Sequence, residues 1–368
     1  MTSARQRKRA EPDTFRPHQV FLECERSEAG EVVPVATIFL TNRECPWRCL
    51  YCDLWKNTTT ETVPIGAIPA QIDFALEQRT AMSAVGVGKS SAADMAVRDS
   101  VSQIKLYNAG SFFDPKAIPP EDFSAIAERV RGFERVIVEC HPALIGESAL
   151  RFRDGLSHSV LRTPHSALDQ SLVTLTAPRL EVAMGLEIAD DAILAKLNKH
   201  MTLAMFRRAA GYLTSHGIAV RAFVIVKPPF VRTEADALEF ARRSIDFAFE
   251  CGAGVVSLIP ARFGPAALDE LAARGDFAPP SFVTLEAALD YGVSLRRGRV
   301  FADLWDVEKL SKCPDCFPAR RERLARINLH QSIEPSVTCR CQRAPGVPPG
   351  RVAVQPQVPA RPDAGGTL

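Results

Sequence analysis

The stretch VATIFLTNRECPWRCLYCD, residues 35–53, places three cysteines directly after a short apolar run. The run at 35–40 is rich in β-branched residues and predicts a strand. Cys45, Cys49 and Cys52 follow with the spacing C-x3-C-x2-C. Three thiolates this close can hold one soft metal centre and leave a coordination position open, because no fourth ligand lies nearby. The alternatives are a chance grouping of buried cysteines and a zinc site completed by a distant histidine.

The cysteine spacing resembles the motif of the radical S-adenosylmethionine (SAM) superfamily, C-x3-C-x-aromatic-C, with Tyr51 at the aromatic position. The resemblance implies a [4Fe-4S] cluster bound by Cys45, Cys49 and Cys52 as the catalytic centre. It implies that the fourth iron binds the amino and carboxylate groups of SAM, and that Tyr51 lies at the cofactor. It further implies a reductant protein such as flavodoxin or ferredoxin, and a 5′-deoxyadenosyl radical formed when SAM is cleaved.

Apolar runs and amphipathic helical patterns alternate along the rest of the chain. Further strands are predicted at 104–107, 135–139, 180–187, 220–226 and 255–259, and helices at 121–131, 191–197, 203–216 and 234–250. This alternation predicts βαβ units and a parallel sheet, but it fits both a partial barrel and an open doubly wound sheet. The resemblance implies the first: an α/β fold with a partial (β/α)6 TIM-like barrel and a small C-terminal cysteine-rich extension.

The expected organisation has five parts. They are a basic N-terminal arm and lead-in at 1–33, a radical SAM core at 34–262, helical and strand elements closing the core at 263–311, a four-cysteine metal-binding module at 312–343, and a disordered Pro-rich tail at 344–368. The stretches 81–100 and 151–179 fit the alternation poorly, so we expect long loops or insertions there.

The resemblance also implies SAM contacts at the carboxyl ends of the later strands. Gly110 and Ser111 stand where the family has a Gly-Gly-Glu-like turn, although the Glu is missing here. Glu139 is a candidate contact to SAM or substrate. A plain strand-to-helix turn would explain Gly110 equally well, and pairing with a buried basic side chain would explain Glu139.

Two further candidates follow the next two strands. The segment 185–202 resembles the branch that contains the Elongator catalytic subunit, the tRNA methylthiotransferases and the archaeosine-forming subunit, which implies that Glu187 lies near the SAM ribose. Lys227 is expected to meet the SAM carboxylate or an anionic substrate. The alternatives are that Glu187 caps a helix and that Lys227 extends from its strand end to solvent.

A second cysteine cluster lies near the other end of the chain. Cys313 and Cys316 form a C-x2-C pair, and Cys339 and Cys341 form a C-x-C pair. Four thiolates can close a tetrahedral site, which favours zinc, while an auxiliary iron–sulfur cluster and unligated cysteines are the alternatives.

The overall charge gives little guidance about partners. The chain has 368 residues with 45 Lys and Arg against 43 Asp and Glu, so any nucleic-acid binding must come from a local patch. Residues 296–361 hold 13 Lys and Arg against 6 Asp and Glu. One predicted helix in this region carries Arg320, Arg321, Arg323 and Arg326. Such a basic helix can bind a phosphate backbone, and the alternative is a helix face that is merely exposed to solvent. With no leader sequence and no 18-residue apolar run, we expect a cytoplasmic protein without membrane contact, whose ten cysteines bind metal or pack in the core.

The resemblance to the archaeosine-forming radical SAM subunit extends over roughly residues 35–341 and implies a tRNA nucleobase as substrate. A second hypothesis keeps the radical chemistry and assigns a small molecule or a peptide. A third is a non-catalytic iron–sulfur protein that senses redox state.

Overall fold

The computed structural model describes residues 12–84, 101–158 and 177–342. Their eight strands form one sheet in chain order, in which β1 is antiparallel to β2 and all later neighbours are parallel. The strands are β1 (Gln19–Arg26), β2 (Val32–Leu40), β3 (Gln103–Asn108), β4 (Arg135–Glu139), β5 (Arg179–Glu187), β6 (Ala219–Val226), β7 (Val255–Pro260) and β8 (Arg299–Ala302). The expected α/β partial barrel is confirmed.

Helices connect the parallel strands and cover the outer face of the sheet. They are α1 (Ala67–Ala84), α2 (Phe123–Val130), α3 (Glu147–His158), α4 (Asp191–Lys196), α5 (Leu203–Ser215), α6 (Glu234–Glu250), α7 (Ala266–Ala273), α8 (Phe282–Ser294) and α9 (Phe317–His330). Alternate strand residues such as Ile38, Leu106 and Val224 are buried in the core between sheet and helices. None of the helices in the described ranges has the length and apolar character needed to cross a bilayer.

The sheet curls until its two edge strands approach each other. Arg221 on β6 donates to both carboxylate oxygens of Glu25 on β1, at 3.1 and 2.9 Å, although these strands lie five places apart in the sheet. Phe21 on β1 contacts Trp305, just after β8, with ring centroids 4.7 Å apart. The seam between β1 and β8 is covered by α9, which contacts both strands.

Two side-chain amides, one in α9 and one on the residue directly after it, hydrogen-bond the free edge of β8. Asn328 receives a hydrogen bond from the Ala302 N–H at 2.9 Å and donates to the Ala302 carbonyl at 2.8 Å. Gln331 makes the same pair of bonds with Val300, at 2.7 and 2.8 Å. Because the amides take the place of a ninth strand, this edge has no free hydrogen-bonding groups at these two residues.

Charged side chains fill the inside of the curled sheet at its amino end. Glu181 on β5 accepts from Arg221 at 2.7 Å and from Arg135 at 3.0 Å, and Lys105 binds Glu25. Burial alone would raise the pKa of Glu25, but the charges of Arg221 and Lys105 outweigh it and hold that pKa well below its usual value. The ion-pair network occupies this end, and the carboxyl ends of the strands remain for a site.

All six predicted strands are present, with bounds that differ by at most three residues. Two strands were not predicted: β1 lies inside the expected N-terminal lead-in, and β8 lies among the closing elements. The predicted loops begin too early, because α1 runs to Ala84 and α3 covers Glu147–His158. The remainder of both loops up to residues 100 and 176, the basic residues 1–11 and the tail 344–368 lie outside the described residues.

Candidate functional site

The three N-terminal cysteines lie on the loop that follows β2, at the carboxyl end of the sheet. All three are free thiols of intermediate exposure. The loop is held by the segment after α4: the Leu50 N–H donates to the Leu197 carbonyl at 3.0 Å, and the Asn198 amide donates to the carbonyls of Trp47 and Arg48. The cysteines thus follow the end of β2, the first strand predicted from the sequence.

Burial affects the acidity of all three thiols. Burial raises the pKa of Cys45 to about 11 and that of Cys52 to about 12, and it also raises the pKa of Cys49, so that metal binding has to displace protons. Among the described residues, the only group of three or more ligand atoms that come within 4.8 Å of one another lies elsewhere, at the C-terminal cysteines. Cys45, Cys49 and Cys52 therefore do not all bring their sulfur atoms within 4.8 Å of one another.

The turn after β3 packs against the cysteine loop. A Cβ atom on Gly110 would lie 3.5 Å from the Cβ of Cys45, which is van der Waals contact with the loop. The buried Ser111 hydroxyl accepts a hydrogen bond from the His141 N–H at 2.9 Å and thereby joins this turn to the end of β4. Both candidates of this turn are thus placed. Gly110 adjoins the cysteine loop, and the Ser111 side chain has a hydrogen-bond partner within the protein.

Asn108, at the end of β3, was not predicted from the sequence. Its side chain is 2% exposed, and neither its amide nitrogen nor its amide oxygen has a hydrogen-bond partner among the described residues. With Glu139 it lines a small cavity of about 30 Å³. A buried amide without partners is costly, so its donor and acceptor fit a ligand that carries both kinds of polar group, as the amino and carboxylate groups of SAM do.

Glu139 closes β4 next to the cysteines. Burial raises its pKa to about 8, and the positive charge of Lys199 opposes that rise. Electrostatic interactions link Glu139 to Cys45 and Cys52. The structure therefore brings Glu139 together with the cysteine loop. The carboxyl group of Glu139 can change its protonation state near neutral pH.

Glu187, at the end of β5, is buried in a polar group with Lys199 and Tyr51. The Lys199 ammonium donates to Glu187 Oε1 at 2.5 Å, and the Tyr51 hydroxyl is hydrogen-bonded to the same carboxylate. The two side chains pack over Gly185, where a Cβ would lie 2.1 Å from Glu187 Oε1. The helix-cap alternative for Glu187 is wrong, because Asp190 caps α4. Lys199 was not predicted.

Lys227 has a different set of partners from the other candidates. Its ammonium binds the Glu234 carboxylate, which also accepts from the Ser281 N–H at 3.0 Å and from the Thr284 hydroxyl. The side chain is buried, so the alternative that it extends to solvent is wrong. The described contacts do not bring Lys227 together with the cysteine loop, and its role towards SAM stays a prediction.

A larger cavity of about 470 Å³ opens beside the cysteine loop. Arg43, Arg48, Lys116 and Trp47 are among its lining residues. Trp47 stacks on His141 with ring centroids 4.4 Å apart. His141 is neutral, since burial lowers its pKa to about 4, and its Nδ1 accepts from Ala143 while its Nε2 bonds the Lys199 carbonyl. It therefore supports the site rather than exchanging protons.

The four C-terminal cysteines converge as expected, in a separate group. The Sγ atoms of Cys313 and Cys339 are 3.9 Å apart, and those of Cys316 and Cys341 are 3.6 Å apart. The predicted basic helix is observed as α9, but its charges are mostly used internally. Arg320, 5% exposed, binds Glu286, and Arg323, 1% exposed, binds Asp290. The expectation that these two arginines contact phosphate is wrong, because both are buried in ion pairs.

Comparisons with known proteins give relatives of two kinds. An uncharacterized protein of Methanocaldococcus jannaschii is 23% identical over 354 residues, 91% of this chain and 87% of the relative. Archaeosine synthase subunit beta of Methanosarcina acetivorans is 29% identical over 147 residues, which are 39% of this chain and 37% of the relative. The expected resemblance to the archaeosine-forming subunit is thus confirmed over part of both chains.

The solved structures that resemble this chain include coproporphyrinogen III oxidase from Escherichia coli, a radical SAM enzyme. It is 15% identical, with 74% of this chain and 57% of that chain covered and a TM-score of 0.41. No protein-family model matches the chain.

Proposed function

We propose that this chain, which resembles radical SAM proteins, is a radical SAM enzyme that reductively cleaves SAM at a [4Fe-4S] cluster bound by Cys45, Cys49 and Cys52. The observation that carries the proposal is the position of the cysteine loop. It lies at the carboxyl end of a curled parallel sheet, next to Asn108, whose buried amide has no partner among the described residues. When bound, the cluster and SAM would supply one-electron cleavage of the sulfonium bond and a 5′-deoxyadenosyl radical.

The protein's own residues would bind and orient SAM. Asn108 offers one donor and one acceptor, and Glu139, whose pKa lies near 8, can accept from the SAM ammonium once it is ionised. Lys199 donates a hydrogen bond to Glu187 and orients it, and a carboxylate can accept hydrogen bonds from ribose hydroxyls. The buried position of these groups excludes water from the reacting bond.

The proposed substrate is a nucleobase in tRNA. The partial match to archaeosine synthase subunit beta supports it, and so do the residues around the larger cavity. Arg43 and Lys116 make no ion pair among the described residues, and Trp47, which stacks on His141, lines the same cavity. Basic side chains next to an aromatic ring suit a phosphate and an unstacked base.

The cleavage reaction is tested with purified full-length protein. After anaerobic loading with iron and sulfide, we expect dithionite-driven formation of 5′-deoxyadenosine from SAM. The Cys49→Ala variant should give only background product, because one of the three cluster ligands is lost. The control is Cys24→Ala, which changes an exposed cysteine on β1 and should keep full activity. Cleavage by Cys49→Ala at the wild-type rate would overturn the proposal.

The substrate is tested next, with tRNA from cells that lack this protein. A new modified nucleoside, detected by mass spectrometry and dependent on Cys49, would support a tRNA substrate. SAM cleavage without any change in tRNA would favour the small-molecule or peptide alternative. A loaded cluster that binds SAM without cleaving it would favour the redox-sensing alternative. A flavodoxin or ferredoxin is the proposed natural electron donor in place of dithionite.

A further inference from the structure

The sulfur atoms of Cys313, Cys316, Cys339 and Cys341 all lie within 4.8 Å of one another. A tetrahedral zinc ion with Zn–S bonds of about 2.3 Å separates its sulfur ligands by about 3.8 Å. The two measured separations, 3.9 and 3.6 Å, match that value. The thiolate ligands of a [4Fe-4S] cluster bind four different irons and must stand further apart. The spacing therefore distinguishes between the two kinds of metal site expected from the sequence.

We propose that these four cysteines bind a single divalent metal ion of zinc type, and that the ion fixes α9 over the seam between β1 and β8. Four thiolates complete a tetrahedral shell, so the site has no open position for a substrate. It is a structural site, independent of the cluster loop that follows β2.

The position of the four cysteines relative to α9 supports this structural role. Cys316 is the N-cap residue of α9, and Cys339 and Cys341 lie near the end of the segment that returns from its C-terminus. The ion would close this segment into a loop that contains the whole helix. Closing a loop through a metal ion stabilises the folded state, since the ligands are not held together in the unfolded chain.

The returning segment is also tied to α9 between the two cysteine pairs. Arg323 donates to the carbonyls of Glu334 and Pro335, at 2.8 and 3.1 Å, and binds Asp290 on α8. Arg326 binds the Glu334 carboxylate at 2.7 Å. The two arginines fix the middle of the loop, and the metal ion would fix its two ends. The two amides that bond the edge of β8 lie at the far end of α9, in Asn328, and directly after it, in Gln331.

The experiment measures bound metal in full-length protein purified without added metal. It compares the wild type, the Cys45→Ala, Cys49→Ala, Cys52→Ala triple variant and the Cys313→Ser, Cys339→Ser double variant. We expect about one zinc atom per chain in the wild type and in the triple variant, and a loss of at least about tenfold in the double variant. Because the triple variant lacks the first cluster site, the zinc result does not depend on the proposed SAM chemistry.

Cobalt substitution of the triple variant provides a second readout that does not require the double variant to fold. Co²⁺ in this site should give the visible absorption bands of tetrahedral tetrathiolate coordination. Hydrogen exchange should then speed up in α9 and β8 when a chelator removes the metal, and should stay unchanged in β4. Iron and acid-labile sulfide in the triple variant would overturn the proposal in favour of an auxiliary cluster. The absence of any bound metal would overturn it as well.

Discussion

A single side chain, Asn108, combines two properties that are rarely found together in a folded protein. It is buried, and both of its polar atoms are without partners among the described residues. Such a group costs about 1–3 kcal/mol of stability unless a ligand satisfies it. The folded protein thus carries a cost at the position where the proposed cofactor would repay it.

Replacing Asn108 by leucine should therefore separate stability from function. We expect Asn108→Leu to be at least as stable as the wild type in the metal-free form, because a buried unsatisfied amide is removed. Its affinity for SAM should fall by about tenfold, which corresponds to about 1.4 kcal/mol. Denaturant unfolding and SAM binding to the cluster-loaded protein are the measurements.

Asn198→Leu is the contrasting variant, since the Asn198 amide donates to the carbonyls of Trp47 and Arg48. This change should destabilise the metal-free protein, because two hydrogen bonds to the cysteine loop are lost. Equal SAM affinity in Asn108→Leu and the wild type would contradict the role given to Asn108.

At the residue scale, the sequence predicted the groups that have a characteristic spacing or position. The cysteines were found by their spacing, and Glu139 and Glu187 by their place at strand ends. Asn108 and Lys199 were not found, because a polar residue after a strand or helix is common and only its buried neighbours distinguish it. Glu187 and Lys199 pack over Gly185, and this contact depends on the bulge that shifts the β5 register there.

At the scale of elements, the free edge of β8 depends on Asn328 of α9 and on Gln331, which directly follows the helix. Asn328→Leu should remove two hydrogen bonds to Ala302 and cost about 1–3 kcal/mol, because the β8 backbone groups lose their partners. The variant should also associate more readily, since an open strand edge can pair with another chain. Denaturant unfolding and light scattering measure the two effects.

The control for this prediction is His330→Leu, which adds a leucine at an exposed position of the same helix. It should change stability by less than about 0.5 kcal/mol. If both variants lost the same stability, the edge bonds would have no measurable role.

Strands β2 to β7 were predictable because each is rich in apolar, often β-branched residues. The two edge strands were not. In β1, QVFLECER, charged and apolar residues mix because Glu23 and Glu25 point toward Lys105 and Arg221. In β8 only four residues are extended, and their edge partners are amides of a helix about 30 residues later. Neither pattern identifies a strand without its tertiary partners.

At the scale of the whole molecule, the charged network inside the sheet holds strands from opposite sides together. Glu181 is fully buried between Arg135 and Arg221. Replacing it by glutamine leaves buried guanidinium charges uncompensated, which should cost about 3–5 kcal/mol. Glu270→Gln, at an exposed position on α7, should be neutral. Equal losses of stability in Glu181→Gln and Glu270→Gln, measured by denaturant unfolding, would contradict a special role for the network.

The same network predicts how stability depends on pH. Burial alone would raise the pKa values of Glu25 and Glu181, but the neighbouring positive charges outweigh it. Both pKa values are therefore lowered in the folded state. Their contribution is complete above the unfolded carboxyl pKa of about 4.3 and is lost as the pH falls below it. We expect the unfolding free energy of the wild type to fall more steeply between pH 5 and 3 than that of Glu181→Gln. Parallel curves would exclude this explanation.

The agreement between strand order and chain order has a consequence for how the molecule is assembled. Each strand from β2 to β8 can add to the edge that the preceding strand has just formed, so most backbone pairing joins neighbours in sequence. The contact of α9 with β1 is different, because it joins the two ends of the described chain. During synthesis, the growing sheet would keep an open side until α9 leaves the ribosome, and we expect pulse-labelled hydrogen exchange to detect protection of this seam last.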